Sequence, residues 1–99
     1  MAEKEHYAFI PKRTLISEEF KVLTVQARFL YVVFVAERVG CDLPFSFPYK
    51  MIRETTRFRY GTTSKSIKEL EKAGFLEYNH GGLERNTNKY TLAPSWLEL

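Results

Sequence analysis

Cysteine, histidine and long apolar runs are scarce in this sequence, and each scarcity argues against a class of protein. Cys41 is the one cysteine, so no disulfide can form within the chain. The two histidines, His6 and His80, are isolated, and no group of Cys and His has the spacing of metal ligands. The longest apolar run, residues 29–36, is far too short to cross a bilayer. We therefore predict no metal site and no membrane span.

The usual signs of catalysis and of secretion are missing as well. The acidic residues form no recognisable catalytic pair, and Cys41 has no evident partner histidine. The Gly81-Gly82 pair is not followed by the lysine of a phosphate-binding loop. Three of the first six residues are charged and these six contain no apolar run, unlike in a signal peptide, which favours the cytoplasm. We expect no enzyme, no cofactor and no small-molecule ligand.

The composition fits one folded domain spanning residues 1–99, with residues 1–6 expected to be flexible. Hydrophobic residues make up 44% of the chain, which is ordinary for a folded protein. Aromatic residues are abundant, with eight Phe, six Tyr and one Trp. The core is therefore bulky, or part of the aromatic surface serves a partner.

Positive charge is concentrated in one part of the chain. The whole sequence carries a net charge of +3, whereas residues 44–73 alone hold seven basic and three acidic side chains. The segments on either side are close to neutral. A local field of one sign is the pattern expected where a polyanion binds.

The C-terminal part of this basic segment, residues 60–73, is predicted to be a helix that ends at Gly74. At 3.6 residues per turn, Thr63, Ile67 and Leu70 share a core-facing side, with Ala73 close by. The other side carries small residues and then lysines. An alternative start has Gly61 closing the preceding turn, with Thr62 or Thr63 as the cap. A lysine-bearing amphipathic helix can also be no more than a solvated surface helix. The residues on the side away from the core are Gly61, Ser64, Lys65, Lys68 and Lys72.

Two helices are predicted upstream, over residues 17–23 and 24–39. Ser17 and Thr24 are their expected caps, and Gly40 follows Val39 at the end of the second. Eleven of the sixteen residues from Thr24 to Val39 are apolar, which is more than one helix face. Two interpretations remain open. The helix is a central core element, or it also forms a homodimer interface through Phe29, Val33 or Ala36.

Short elements surround the basic helix. Residues 7–10 fit an extended lead-in or an edge strand, and residues 43–48 a very short edge strand. A helix over residues 49–55 is expected to place Met51 and Ile52 inward. Residues 75–80 and 89–92 form the strands of a hairpin whose tip spans residues 81–88. The Trp96 indole is expected to dock on the core.

This order of elements resembles the winged helix-turn-helix fold. Residues 65–76, KSIKELEKAGFL, look like the junction between recognition helix and wing in many bacterial, phage and plasmid regulators. Residues 10–13 and 27–31 are similar to the opening of winged-helix domains in plasmid and phage replication initiators, and residues 90–96 resemble the end of such a module. The fold class expected is therefore α+β, mostly helical, a winged helix-turn-helix with a C-terminal β-hairpin wing.

The resemblance implies sequence-specific binding of double-stranded DNA, by a transcriptional regulator or a replication-initiator-like protein. The recognition helix would enter the major groove with its N-terminus first, and the wing would lie along a neighbouring groove or the backbone. The alternative is a winged helix used for protein–protein contact. The residues implied near base edges are Arg59, Tyr60, Thr62, Ser64 and Lys65; those implied at phosphates are Arg57, Lys68, Lys72 and the hydroxyl of Thr56; those of the wing are Arg85, Asn86 and Lys89.

Overall fold

The computed structural model describes residues 9–37, 45–79 and 89–97. These residues form an α+β fold that is mostly helical, as the sequence predicts, with a small antiparallel sheet. In chain order the elements are α1 (Lys12–Leu15), α2 (Glu18–Lys21), α3 (Val25–Glu37), β1 (Phe45–Ser46), α4 (Tyr49–Thr56), α5 (Tyr60–Lys72), β2 (Leu76–Asn79), β3 (Lys89–Leu92) and a 3₁₀ helix (Pro94–Trp96).

Side-chain caps explain where α2 and α3 begin. Ser17 precedes α2, and its hydroxyl accepts a hydrogen bond from the Phe20 N–H at 3.2 Å. Thr24 does the same for α3, accepting from the Ala27 N–H at 3.2 Å. Both caps are therefore those that the sequence predicts. The expected end of the third helix at Val39 and Gly40 lies outside the described residues.

Helix α3 lies at the centre of the core. Leu30, Tyr31 and Phe34 are fully buried, and the Phe34 ring packs against Phe45 and Tyr90 of the sheet. The interpretation of this helix as a core element is confirmed. Several apolar residues of α3 are nevertheless exposed, because the other described elements do not fully cover them. The exposed apolar positions on α3 are Val25, Phe29, Val32 and Ala36.

The sheet has the order β1-β3-β2, and both strand pairs are antiparallel. Strands β2 and β3 form the predicted hairpin, with Leu76 opposite Leu92. Strand β1 is the very short edge strand expected from residues 43–48 and places Phe45 opposite Tyr90. The hairpin tip, residues 81–88, lies outside the described residues.

A Schellman motif ends α5 and turns the chain into β2. The Phe75 N–H donates to the Leu70 carbonyl at 3.0 Å, and the Gly74 N–H donates to the Glu71 carbonyl at 3.1 Å. Gly74 has φ +87°, a conformation that glycine adopts without steric cost. The Trp96 indole stacks on Phe75 at 4.6 Å and donates to the Gly74 carbonyl at 3.1 Å, so its predicted docking is confirmed.

Two predictions about individual residues are wrong, and one helix forms where none was predicted. Met51 is 47% exposed rather than inward, whereas Ile52 is buried as expected. Val33 is buried, so it does not lie on an open face of α3. Of residues 7–10, the described Phe9 and Ile10 belong to no strand, which leaves the extended lead-in of the two alternatives. Helix α1 forms where no helix was predicted. Thr14 on α1 is fully buried and donates to the Trp96 carbonyl, a long-range contact that local sequence pattern does not encode.

Candidate nucleic-acid interface

Helix α5 separates its residues into a buried side and a basic side. Thr63, Ile67 and Leu70 are buried as predicted, and Ser66 is buried with them. Lys65, Lys68 and Lys72, hereafter the lysine stripe, are exposed on the opposite side. Their spacing of three and then four residues places the ammonium groups in one row along the helix.

The start of α5 leaves backbone N–H groups without a side-chain cap. The helix begins at Tyr60, and Arg59 is its N-cap residue but makes no capping hydrogen bond. The alternative start with Thr62 or Thr63 as the cap is wrong, because both residues lie inside the helix and Thr63 is buried. The helix dipole adds positive potential at an end that already carries an arginine.

The turn between α4 and α5 depends on an unusual arginine. Arg57 caps the C-terminus of α4 in the left-handed conformation, with φ 64° and ψ 15°, and its N–H donates to the Arg53 carbonyl at 2.7 Å. Positive φ is uncommon for a residue with a side chain. The arginine side chain remains exposed at the turn.

Four cations surround an open groove beside this turn, hereafter the basic groove. It has a volume of about 800 Å³ and is lined by Lys50, Arg53, Glu54, Arg57, Phe58 and Arg59. Arg57 and Arg59 were named from the sequence, whereas Lys50 and Arg53 were missed. Their spacing was the available signal, because residues 50, 53 and 57 recur at intervals of three and four.

The basic side chains of this region are not neutralised by their neighbours. All seven Lys and Arg residues of the segment 44–73 are exposed, and none of them forms a salt bridge with another described residue. Glu69 is turned toward α3, where its carboxylate accepts from the Thr24 N–H at 2.6 Å and from the Thr24 hydroxyl at 2.9 Å. The lysine stripe on α5 and the basic groove beside the α4–α5 turn are therefore two sets of exposed cations on neighbouring elements.

A tyrosine cluster connects this surface to the sheet. The Tyr49 hydroxyl donates to the Tyr78 hydroxyl and accepts from Ser64, which links α4 to β2 and α5. Tyr78 stacks on Tyr90 at 5.0 Å, and Tyr49 packs against Tyr60 at 4.7 Å. Burial raises the pKa of Tyr49 and of Tyr78, and raises that of Tyr90 most. These side chains therefore stay neutral and hold three elements together.

The remaining predicted site residues lie in different settings. Thr62 is half-buried on a flank of α5 about 90° from the lysine stripe. Lys89 is exposed at the start of β3, whereas Arg85 and Asn86 lie outside the described residues. The phosphate role predicted for Thr56 is wrong. Its buried hydroxyl donates to the Ile52 carbonyl at 2.8 Å and accepts from the Phe58 N–H at 3.0 Å, so it is occupied within the turn.

The described residues also offer neither a metal site nor a membrane span. Over residues 9–37, 45–79 and 89–97, no group of three or more His, Cys, Asp or Glu side chains could hold a metal ion. Within those ranges no helix has the length and apolar character needed to cross a membrane.

Comparison with known proteins gives a fold and no family. No protein-family model matches the chain, and no curated protein sequence matches it. A chain from a structure of a Rep–DNA complex has a TM-score of 0.68 and 23% identity, over 90% of this chain and 75% of that chain. The N-terminal domain of a DNA-binding protein gives the same four values. The chain therefore shares its fold with these two solved structures.

Proposed function

We propose that this protein binds double-stranded DNA in a sequence-specific manner, as a transcriptional regulator or a replication-initiator-like protein. The observation that carries the proposal is the set of seven exposed cations on α4, the turn and α5, none of which forms a salt bridge with another described residue. The DNA backbone is a regular polyanion, and lysine and arginine rows are the groups that neutralise it. The protein acts by binding rather than by catalysis, in the cytoplasm.

In this account α5 lies in the major groove as a recognition helix. Its uncapped N-terminus, with Arg59 and Tyr60, approaches the base edges, where arginine can make a bidentate contact with guanine. Thr62 lies on one flank of the helix and contacts the bases or sugars nearest to it. Ser64 lies on the other flank, where its hydroxyl already donates to Tyr49 and can meet DNA only as an acceptor. Lys65 lies between the base-edge residues and the phosphate contacts of Lys68 and Lys72.

The basic groove and the hairpin bind the DNA on either side of the recognition helix. Lys50, Arg53 and Arg57 line the groove and meet the phosphates of one strand. The β2–β3 hairpin acts as the wing, and Lys89 contacts the neighbouring backbone together with Arg85 and Asn86 of the tip. The likeness of the fold to a chain of a Rep–DNA complex and to the N-terminal domain of a DNA-binding protein supports DNA as the partner.

A pair of matched charge reversals tests the proposal. Lys65→Glu/Lys68→Glu changes the lysine stripe, and Lys12→Glu/Lys21→Glu makes the same change in charge at exposed lysines of α1 and α2. We expect the first variant to lose binding to a random-sequence duplex at low salt and the second to retain most of it. Equal affinities for the two variants would contradict the proposed surface.

We further propose that the protein forms a homodimer through α3. Val25, Phe29, Val32 and Ala36 are exposed at spacings of four, three and four residues, which is a single apolar face. Phe29 and Val32 are 45% and 41% exposed despite their size, and self-association would bury them. A symmetric dimer would also present two recognition helices to two half-sites.

Molar mass measured by light scattering over a range of concentrations tests the dimer. Val25→Lys/Val32→Lys is expected to give the monomer mass at every concentration. Met51→Lys alters a residue of α4 that is 47% exposed and is expected to leave the dimer intact. A monomeric wild-type protein at high concentration would refute this interface.

The exposed apolar side chains of α3, together with exposed aromatic residues elsewhere, favour one alternative, a winged helix that binds another protein. Phe9 and Tyr60 are 66% and 71% exposed, which gives aromatic anchors outside α3. Such a complex would tolerate salt and would survive Lys65→Glu/Lys68→Glu. Loss of binding on changing those lysines supports the DNA account instead.

A further inference from the structure

A small aromatic pocket opens between α4 and the first turn of α5. It has a volume of about 180 Å³ and adjoins the wider basic groove, with which it shares Lys50, Arg53 and Phe58. Three of its six lining residues are aromatic and two are cations. The lining residues are Tyr49, Lys50, Arg53, Phe58, Tyr60 and Thr63.

Tyr60 is the exposed wall of this pocket. It is the first residue of α5 and is 71% exposed, so its ring contributes little to the core. Its orientation is nevertheless supported, because it lies 4.7 Å from the Tyr49 ring at an interplanar angle of 41°. Tyr49 is itself held by its hydrogen bonds to Ser64 and Tyr78. The Tyr60 ring is therefore an exposed apolar surface whose orientation is supported by its contact with Tyr49.

The residue after Tyr60 leaves the approach to this ring open. A Cβ atom added at Gly61 would meet nothing within 4 Å, and Gly61 does not have positive φ. The fold itself therefore does not require glycine there, although glycine inside a helix costs about 1 kcal/mol relative to alanine. An absent side chain at the exposed start of α5 gives another molecule access to the Tyr60 ring.

The aromatic pocket and the exposed Tyr60 ring fit one feature of duplex DNA, the thymine methyl group. In the major groove the thymine C5-methyl is the apolar group that distinguishes an A·T pair, and apolar side chains contact it. Lys50 and Arg53 at the edge of the pocket match the phosphates that flank such a base. We propose that Tyr60, supported by Tyr49, is a specificity-determining residue that selects thymine through contact of its ring with this methyl group. The inference rests on the proposed DNA binding and adds the base that the helix start selects.

Replacement of thymine by deoxyuridine tests this contact, because it removes the methyl group and keeps the Watson–Crick hydrogen bonds. A preferred duplex is first selected from a random pool by the wild-type protein. Affinity is then measured for that duplex and for versions with single thymines replaced by deoxyuridine. We expect one replacement to weaken wild-type binding about three- to fivefold, the effect of losing one buried methyl group.

Three variants assign the effect to the ring. Tyr60→Ala should bind the thymine and deoxyuridine duplexes equally, whereas Tyr60→Phe should keep the wild-type ratio. Lys65→Gln should weaken binding to both duplexes and leave their ratio unchanged. A thymine preference that persists in Tyr60→Ala, or a selected duplex without a methyl-sensitive position, would overturn the inference and leave DNA binding intact. Failure to bind any DNA at low salt would instead reject the proposed function, and this inference with it.

Discussion

The left-handed backbone at Arg57 is a local cost that the fold alone does not explain. Glycine is the residue best suited to such a helix C-terminus, and this chain uses glycine at the corresponding position after α5, Gly74. An L-residue in this conformation costs roughly 1–2 kcal/mol. The arginine at the turn contributes a cation to the basic groove, which is a functional reason for keeping it there.

Arg57→Gly should therefore separate stability from DNA affinity. We expect the free energy of unfolding to rise by about 1 kcal/mol, measured by urea denaturation, because the backbone strain is relieved. Affinity for duplex DNA should fall, because one phosphate contact is lost. Arg57→Lys is the control, since it keeps both the charge and the strained conformation. A glycine variant that is less stable than the wild type, or that binds DNA equally well, would contradict this account.

Among the elements, the hydrogen bonds of Tyr49 connect α4, α5 and the hairpin. Tyr49→Phe removes the bonds to Ser64 and Tyr78 and preserves the ring contacts. We expect a loss of about 1–2 kcal/mol in the free energy of unfolding, since each net hydrogen bond contributes about 1 kcal/mol.

Tyr90→Phe is the matched control in the same cluster. The Tyr90 hydroxyl is buried and has no hydrogen-bond partner among the described residues, so its removal should leave stability unchanged or raise it by about 1 kcal/mol. Thermal or urea unfolding of both variants measures the difference. Equal losses in the two variants would show that the Tyr49 bonds do not contribute to stability.

Elements whose sequence carries its own boundary signals could be predicted, and α5 is the best example. Its buried side repeats at helical spacing and Gly74 ends it, so the limits observed are within one residue of those expected. Ser17 and Thr24 gave the starts of α2 and α3 in the same way, through side chains that cap the first turn. Local chemistry decides these features, and a sequence displays local chemistry directly.

Features that depend on distant parts of the chain were not predictable in this way. The contact between Thr14 and Trp96 joins residues 82 positions apart, and no local pattern marks it. Thr56 resembles a phosphate ligand by type, but the turn uses its hydroxyl internally. Lys50 and Arg53 are different, because their helical spacing with Arg57 was readable from the sequence. The basic groove was therefore partly accessible, and its pocket beside Tyr60 was not.

For the molecule as a whole, buried tyrosines predict a limit to stability at alkaline pH. Burial raises the pKa of Tyr49, Tyr78 and Tyr90 in the folded chain, whereas tyrosines of the unfolded chain lose their protons near pH 10. Above about pH 10 the unfolded state then binds fewer protons than the folded state, so stability falls as pH rises. Below about pH 10 the stability that these three tyrosines contribute is fully present.

Urea unfolding at a series of pH values measures this dependence. We expect a constant midpoint from neutral pH to about pH 9 and a progressive fall above about pH 10, with tyrosinate absorbance appearing as the chain unfolds. Tyr90→Phe should show a shallower fall, because one shifted group is removed. A urea midpoint that does not change above about pH 10 would contradict the raised pKa of these tyrosines in the folded chain.

The distribution of charge over the whole molecule leads to the most direct test of DNA binding. The exposed cations of residues 44–73 lie on contiguous elements, so several should meet phosphates at once. Each phosphate contact releases counterions and adds about −0.9 to the slope of log affinity against log salt concentration. A salt series with duplex DNA, carried out for the wild type and for Lys68→Ala, measures this slope. We predict a slope of about −4 or steeper for the wild type, and a loss of about one unit in the variant. Binding that is insensitive to salt, or no binding at low salt, would contradict the central claim that this surface binds DNA.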